Sequence, residues 1–315
     1  MNGRRKYAIM LFAVAAIMLL ISACSQVTVS GPGVGSAATA TPSSLTSLQV
    51  LQNSSNAMKQ LKSSHIDVQL ANNFLANGAT PTPAPGASVA STPPAGTPNT
   101  LNLNIKGTGD QALPNQEQMH LTINQGINVS EIVQGDQVYV QNANGQWYVM
   151  SQGALQKTYG NLFSGVNIDP NALLALVQNS KITDHGTQSL NGQNLRHITA
   201  DLDKQGLRQL LTESPQLQSF FGQQNINNVV DHATQFLASI DVWIDESQFY
   251  VHRTQLQLNL VADTSTVGNG APSSVSEKLN TIVDLSKFNA PVTITPPSGA
   301  IPTTNPGAIF GFGKP

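Results

Sequence analysis

"RTQLQLNLVAD", Arg253–Asp263, decides how this chain folds. Leu256, Leu258 and Leu260 alternate with Gln255, Gln257 and Asn259. Successive side chains of a strand point to opposite faces, so this period makes one face apolar and leaves the other wet. The pattern recurs in both directions from here. Downstream, Leu279, Val283 and Leu285 share one face of "SEKLNTIVDLSKF", Ser276–Phe288. Upstream, Ile66, Val68, Leu70 and Phe74 alternate with polar residues in "HIDVQLANNF", His65–Phe74. Leu101, Leu103 and Ile105 do so in "LNLNIKG", and Met119, Leu121 and Ile123 in "QMHLTIN", with "INVSEIV" following Gly126. "DQVYVQNANGQWYVM", Asp136–Met150, reads as a hairpin turning at Asn142–Gly145. Val138 and Val140 lie on one arm, Trp147 and Val149 on the other. Lys181–Asp201 reads as a strand pair turning at Asn191-Gly192, the dipeptide suited to a tight hairpin turn.

Helical spacing separates these blocks. Ser43–Lys62 carries Leu45, Leu48, Leu51, Met58 and Leu61 on one stripe. Asp169-Pro170 opens a second helix, with Asp as cap and Pro at the first helical position. Asp203–Leu211 is a short third, and Ser214-Pro215 opens a further helical region. There Ile226, Val229, Val230, Ala233, Phe236 and Leu237 form an apolar stripe up to Ile240. Sequential strands joined by short turns imply antiparallel pairing, and a sheet with one apolar face needs a cover. The expected fold is α+β: a large curved antiparallel β-sheet, a half-barrel of about 10–11 strands, with helices over its concave apolar face.

The N-terminus sets the compartment. Arg4, Arg5 and Lys6 precede an apolar run, Ala8–Leu20, of thirteen residues. About 20 residues are needed to cross ~30 Å of hydrocarbon, so the run fits a signal peptide better than a membrane span. Ile21-Ser22-Ala23-Cys24 resembles a bacterial lipobox, which implies acylation of Cys24 and cleavage before it. An ordinary signal peptide or an uncleaved anchor helix are the alternatives. Cys24 is the single cysteine, so no internal disulfide can form. The expected organisation is a signal at 1–23, a flexible tether at 24–42, one domain at 43–295 and a disordered tail at 296–315. Residues 77–100 hold six prolines and read as a disordered insert between two strands; a domain boundary is the alternative.

Charged residues make up only 10% of the chain and the net charge is −2, with no basic patch for a polyanion. No nucleic-acid partner is expected. No nucleophile elbow, metalloprotease helix motif, phosphate loop or cysteine pair occurs, so no enzyme, cofactor or metal is expected. His65, His120, His185, His197, His232 and His252 lack metal-ligand spacing along the chain. Asp241, Asp245 and Glu246 read as a polar strand end and turn; Trp147 and Trp243 read as packing residues.

Five phrases carry a resemblance. They are "AMKQLKSSHIDVQL" (Ala57–Leu70), "GDQVYVQNANGQWYVM" (Gly135–Met150), "DHGTQSLNGQNLRHITADLD" (Asp184–Asp203), "VWIDESQFYVHRTQLQL" (Val242–Leu258) and "TIVDLSKFNAPVTITPP" (Thr281–Pro297). In order and spacing they resemble the LolA-like superfamily, in its LppX/LprAFG-type lipoprotein branch. The resemblance implies a bent half-barrel closed by helices, holding lipid acyl chains between the two. The expected cavity wall is Leu101, Leu103, Ile105, Leu121, Ile123, Val138, Val140, Leu256, Leu258 and Leu260. Its expected roof is Phe220, Phe221, Val229, Val230 and Phe236. No charged residue is expected inside. The expected protein is a monomeric lipoprotein, anchored through Cys24 at the extracytoplasmic face of the cell membrane and binding or carrying lipid. The alternative is a cell-envelope sensor or interaction domain of the same fold with a packed core.

Overall fold

The computed structural model describes residues 45–77, 99–124, 126–142, 144–153, 180–213, 230–265 and 273–304. Helix α1 (Ser47–Lys59) comes first. Thr46 caps it: its hydroxyl accepts from the Gln49 amide, and the Gln49 side chain accepts from the Thr46 amide. That reciprocal box satisfies two backbone donors that the first turn leaves free. The helix buries Val50, Leu51, Ser54 and Ser55, while Leu48, expected on the buried stripe, is exposed.

Twelve strands follow: β1 (Ser63–Asn77), β2 (Asn99–Ala112), β3 (Gln116–Ile123), β4 (Ile127–Gln134), β5 (Gln137–Gln141), β6 (Trp147–Ser151), β7 (Lys181–Leu190), β8 (Gln193–Leu202), β9 (Ala233–Ile244), β10 (Val251–Asp263), β11 (Ser274–Ser286) and β12 (Ile301–Pro302). Helix α2 (Lys204–Glu213) lies between β8 and β9, and Asp203 accepts from the Gly206 amide at its start. The strands form one sheet in the order β12-β6-β5-β4-β3-β2-β1-β11-β10-β9-β8-β7. Every neighbouring pair is antiparallel except β12 with β6, which makes the sheet mixed. The sheet is open, with β12 and β7 at its edges.

The hairpins fall where turn chemistry put them. Asn191 and Gly192 both have positive φ, and β7 pairs with β8 across them. This is the backbone that a two-residue turn needs to match strand twist. β1 lies between β2 and β11, so residues 78–98 connect two neighbouring strands. The first strand thereby joins the last long one through thirteen paired positions, from His65↔Ser286 to Asn77↔Ser274.

Several expectations change. Among the described residues the sheet has twelve strands, not about 10–11. Residues 301–302, expected in a disordered tail, pair with Tyr148 and Val149 of β6. Residues 233–240, expected to be helical, belong to β9. Ala233, Phe236, Leu237 and Ile240 mimic helical spacing, but Ala238, Ile240, Val242 and Ile244 are the buried set, at period two. Branched Ile and Val suit that pleated surface. The signal, tether and insert, and the helices expected after Asp169 and Ser214, lie outside the described residues apart from insert positions 77, 99 and 100.

Candidate functional site

The apolar face of the sheet carries two separate clusters. The first joins Ile198, Ala200, Leu202, Ala238, Ile240, Val242, Ile244, Leu258, Leu260 and Ala262 of β8–β10 to Val50 and Leu51 of α1, Leu207 of α2 and Val230. The second draws Ile66, Val68, Leu103, Ile105, Met119, Leu121, Ile123, Val129, Val138, Val140 and Met150 from β1–β6. No residue of α1 or α2 belongs to the second cluster.

The single wall expected from the sequence is thus divided. Leu103, Ile105, Leu121, Ile123, Val138 and Val140 line the β1–β6 half. Leu258 and Leu260 lie in the helix-covered half, with Leu256 packed against it. Val230 is buried there too, in the turn of helix that precedes β9. Phe236 is not part of a roof: it sits on β9 opposite Leu260 and packs, half-buried, against the same cluster. Leu101 belongs to β2, but its side chain, with Phe220, Phe221 and Val229, falls outside the described residues. In the β5–β6 hairpin the partners of Val138 and Val140 are Met150 and Tyr148, so those residues, not Trp147 and Val149, share their face.

Ionisable side chains do enter the apolar face. Ser64, Gln111 and Glu117 stand opposite one another across β1, β2 and β3. One step along, Met119 faces Glu131, which faces Val140. Directly paired residues of antiparallel strands share a face, so both glutamates point the same way as the cluster. Glu117 is 5% exposed and Glu131 7%. Burial pushes the Glu117 carboxyl well above its ordinary range, and Glu131 nearby pushes it further. Burial alone raises Glu131 to about 8. Gln111 donates to Ser64 at 2.6 Å, but Gln111 Oε1 and Glu117 Oε1 are buried with no partner. Burial therefore favours the protonated form of both carboxyls, because ionising a carboxyl away from water is costly.

The glycines of β2 belong to the same arrangement. A Cβ on Gly107 would lie 2.4 Å from Leu121 Cδ2, and one on Gly109 would lie 2.4 Å from Met119 Sδ and 2.0 Å from the Gln118 carbonyl oxygen. Bare backbone there seats the two large side chains of β3.

A polar seam runs between the clusters on β1 and β11. Asn72, Glu277 and Thr281 are buried there. Burial raises Glu277 to about 7, and a hydrogen bond from Asn72 opposes the rise. Sequence reasoning missed all three glutamates. Strand parity could have found them: Glu117 precedes Met119 by two, Glu131 follows Val129 by two, and Glu277 follows Val275 by two.

The opposite face is wetter and holds paired charges. Arg253 donates two bonds to Asp284 across β10 and β11, at 2.6 and 2.7 Å. Trp243 stacks on His197, which stacks on His185. The acidic trio of Asp241, Asp245 and Glu246 splits three ways: Asp241 meets His197 and Thr199, Asp245 accepts from Ser247 in the turn, and Glu246 meets Arg196.

No protein-family model matches the chain, and no curated protein matches it. Among solved structures it is similar to the lipoprotein LppX of Mycobacterium tuberculosis, at 17% identity and a TM-score of 0.41, over 79% of this chain and 97% of LppX. It is also similar to LprF from Mycobacterium bovis, at 17% identity and a TM-score of 0.36, over 80% of this chain and 97% of LprF. Both names belong to the LppX/LprAFG-type branch that the sequence phrases resemble. Likeness at this level carries nothing about ligand or activity.

Proposed function

We propose that this is a membrane-anchored, extracytoplasmic lipoprotein that binds lipid acyl chains against the β1–β6 half of its sheet. One observation carries the reading: among the described residues, a continuous apolar face across six strands, shared with no residue of α1 or α2 and interrupted by the buried carboxyls of Glu117 and Glu131. Helix side chains fill the other half, which serves as the packed core. Acyl chains laid on the β1–β6 face would leave water at ~25 cal/mol per Å² of apolar surface removed. The chemistry asked of the protein is burial, so the reading is of a binder and not an enzyme. Cys24 supplies the anchor, and a diacylated cysteine holds firmly because each buried CH₂ contributes ~0.8 kcal/mol. Among the described residues no helix is long and apolar enough to cross a membrane.

The test is lipid extraction from the full chain purified without delipidation, followed by mass spectrometry. Acyl lipid in near-stoichiometric amount is expected, beyond that attached to Cys24. A folded protein with no extractable lipid would favour the packed sensor or interaction domain instead.

A further inference from the structure

The wet face of the sheet brings together three residues that stand far apart in sequence. His185 of β7, His197 of β8 and Asp241 of β9 each offer a ligand atom, and these atoms all lie within 4.8 Å of one another. Register builds the group. Thr199 pairs with Asp241 and His197 with Trp243, which sets His197 and Asp241 on one face, two residues apart in register. The ladder of β7 slips between Asp184 and Thr187, and Gly186 has positive φ. Such bulges re-aim a neighbouring side chain, here His185, out of simple alternation.

The three side chains already form one hydrogen-bonded group with Thr199. His197 Nε2 meets Asp241 Oδ1 at 2.9 Å, Thr199 Oγ1 donates to the same oxygen, and His185 Nε2 meets Thr199 Oγ1 at 2.8 Å. Stacking on Trp243, at 4.2 Å and 4°, fixes the His197 ring, whose Nδ1 is buried without a partner. A ring held in this way can release Nε2 to an ion and carry its proton on Nδ1. His185 is exposed and can turn.

We propose that His185, His197 and Asp241 form a three-ligand site for a divalent first-row transition ion, with zinc as the reference ion. Two imidazoles and one carboxylate suit zinc, and water would complete four-coordination. Ligand atoms about 2.0–2.1 Å from a tetrahedral ion stand about 3.3 Å apart. The group must therefore close by at most about 1.5 Å from its 4.8 Å span, which rotation of exposed His185 supplies. His185 leaves its stack on His197 as it turns, since near-parallel rings cannot aim two lone pairs at one point. Thr199 then gives up its contact with His185 and keeps Asp241 oriented, as outer-sphere partners of metal ligands do.

The test is calorimetric titration of the chelator-stripped full chain with Zn²⁺ alone, with Co²⁺ absorption as a second readout. One zinc per chain is expected, with a tetrahedral cobalt spectrum. His185→Ala and Asp241→Asn should each weaken binding at least about tenfold, and His120→Ala, a histidine on distant β3, should leave it unchanged. His185 is exposed, so its variant keeps the test sound even if Asp241→Asn perturbs β9. Absence of zinc binding at millimolar concentration, or binding by His185→Ala equal to wild type, would overturn the site.

Discussion

The two halves of the sheet solve the same problem differently. Around β8–β10, an apolar face meets α1 and α2, and a polar tie closes the edge: Ser47 donates to Asp184 at 2.6 Å, and Arg196 bonds both Asp184 and Glu246. Hydrogen bonds from Arg196 and Ser47 hold the Asp184 carboxyl well below its usual range. Around β1–β6 the apolar face is as well shielded, yet it contains Glu117, Glu131 and Gln111, with an unpaired oxygen on Glu117 and on Gln111. In the first half the buried oxygens without partners include the Ser54 and Ser55 hydroxyls of α1. The second holds a carboxyl among its apolar residues, which is costlier to keep from water than a hydroxyl.

That contrast can be broken by mutation. Leu207→Ala should cost about 3 kcal/mol, because Leu207 is α2's anchor in the helix-covered cluster and its loss leaves a cavity. Urea unfolding measures the loss, and lipid content should stay unchanged. Gly109→Ala comes next, at about 2 kcal/mol, since its Cβ would meet Met119 and the Gln118 backbone. Here lipid content should fall as well, because Met119 must leave its seat. A Gly109→Ala protein as stable as wild type would show that β2 and β3 are loosely apposed.

The glutamates make the halves differ in pH response. An unfolded chain releases the Glu131 proton in the ordinary carboxylate range, while the folded chain holds it to about 8. The folded state binds more protons between those values, so its stability is fullest below that window and falls as pH rises through it. Glu277, raised to about 7, acts in the same direction. Glu131→Gln should flatten the decline between pH 5 and about 8 and leave the variant more stable than wild type at the alkaline end. Thermal unfolding across that window is the measurement, and an unaltered slope would contradict burial of this carboxyl. The smallest effect belongs to α1: Thr46→Ala removes the capping box and should cost about 1 kcal/mol. It should touch the helix-covered half alone.

Much of this was legible in the chain. The alternation of Leu256, Leu258 and Leu260 with Gln and Asn fixed β10, because a pleated strand gives each residue one face. Asn191-Gly192 fixed the β7–β8 turn for an equally local reason. The start of β9 was illegible because Ala233, Phe236 and Leu237 satisfy a helical stripe; Leu237 proves 53% exposed, on the face opposite Ile240 and Val242. The division of the wall was also hidden, since an inward Leu is written alike beside a helix or a lipid. The cluster of His185, His197 and Asp241 depends on register among three strands and on a bulge, which no spacing along the chain records.

The central claim is that the β1–β6 face, and not the β8–β10 face, holds acyl chains. The most direct measurement compares lipid stoichiometry by mass spectrometry in two variants of the full chain, Val140→Trp and Leu258→Trp, with unfolding monitored alongside. Val140→Trp should lose bound lipid and stay folded, because an indole occupies space meant for chain. Leu258→Trp should keep its lipid and lose about 1–3 kcal/mol by overpacking against a filled core. Equal lipid in wild type and Val140→Trp, or lipid lost from Leu258→Trp alone, would contradict the account.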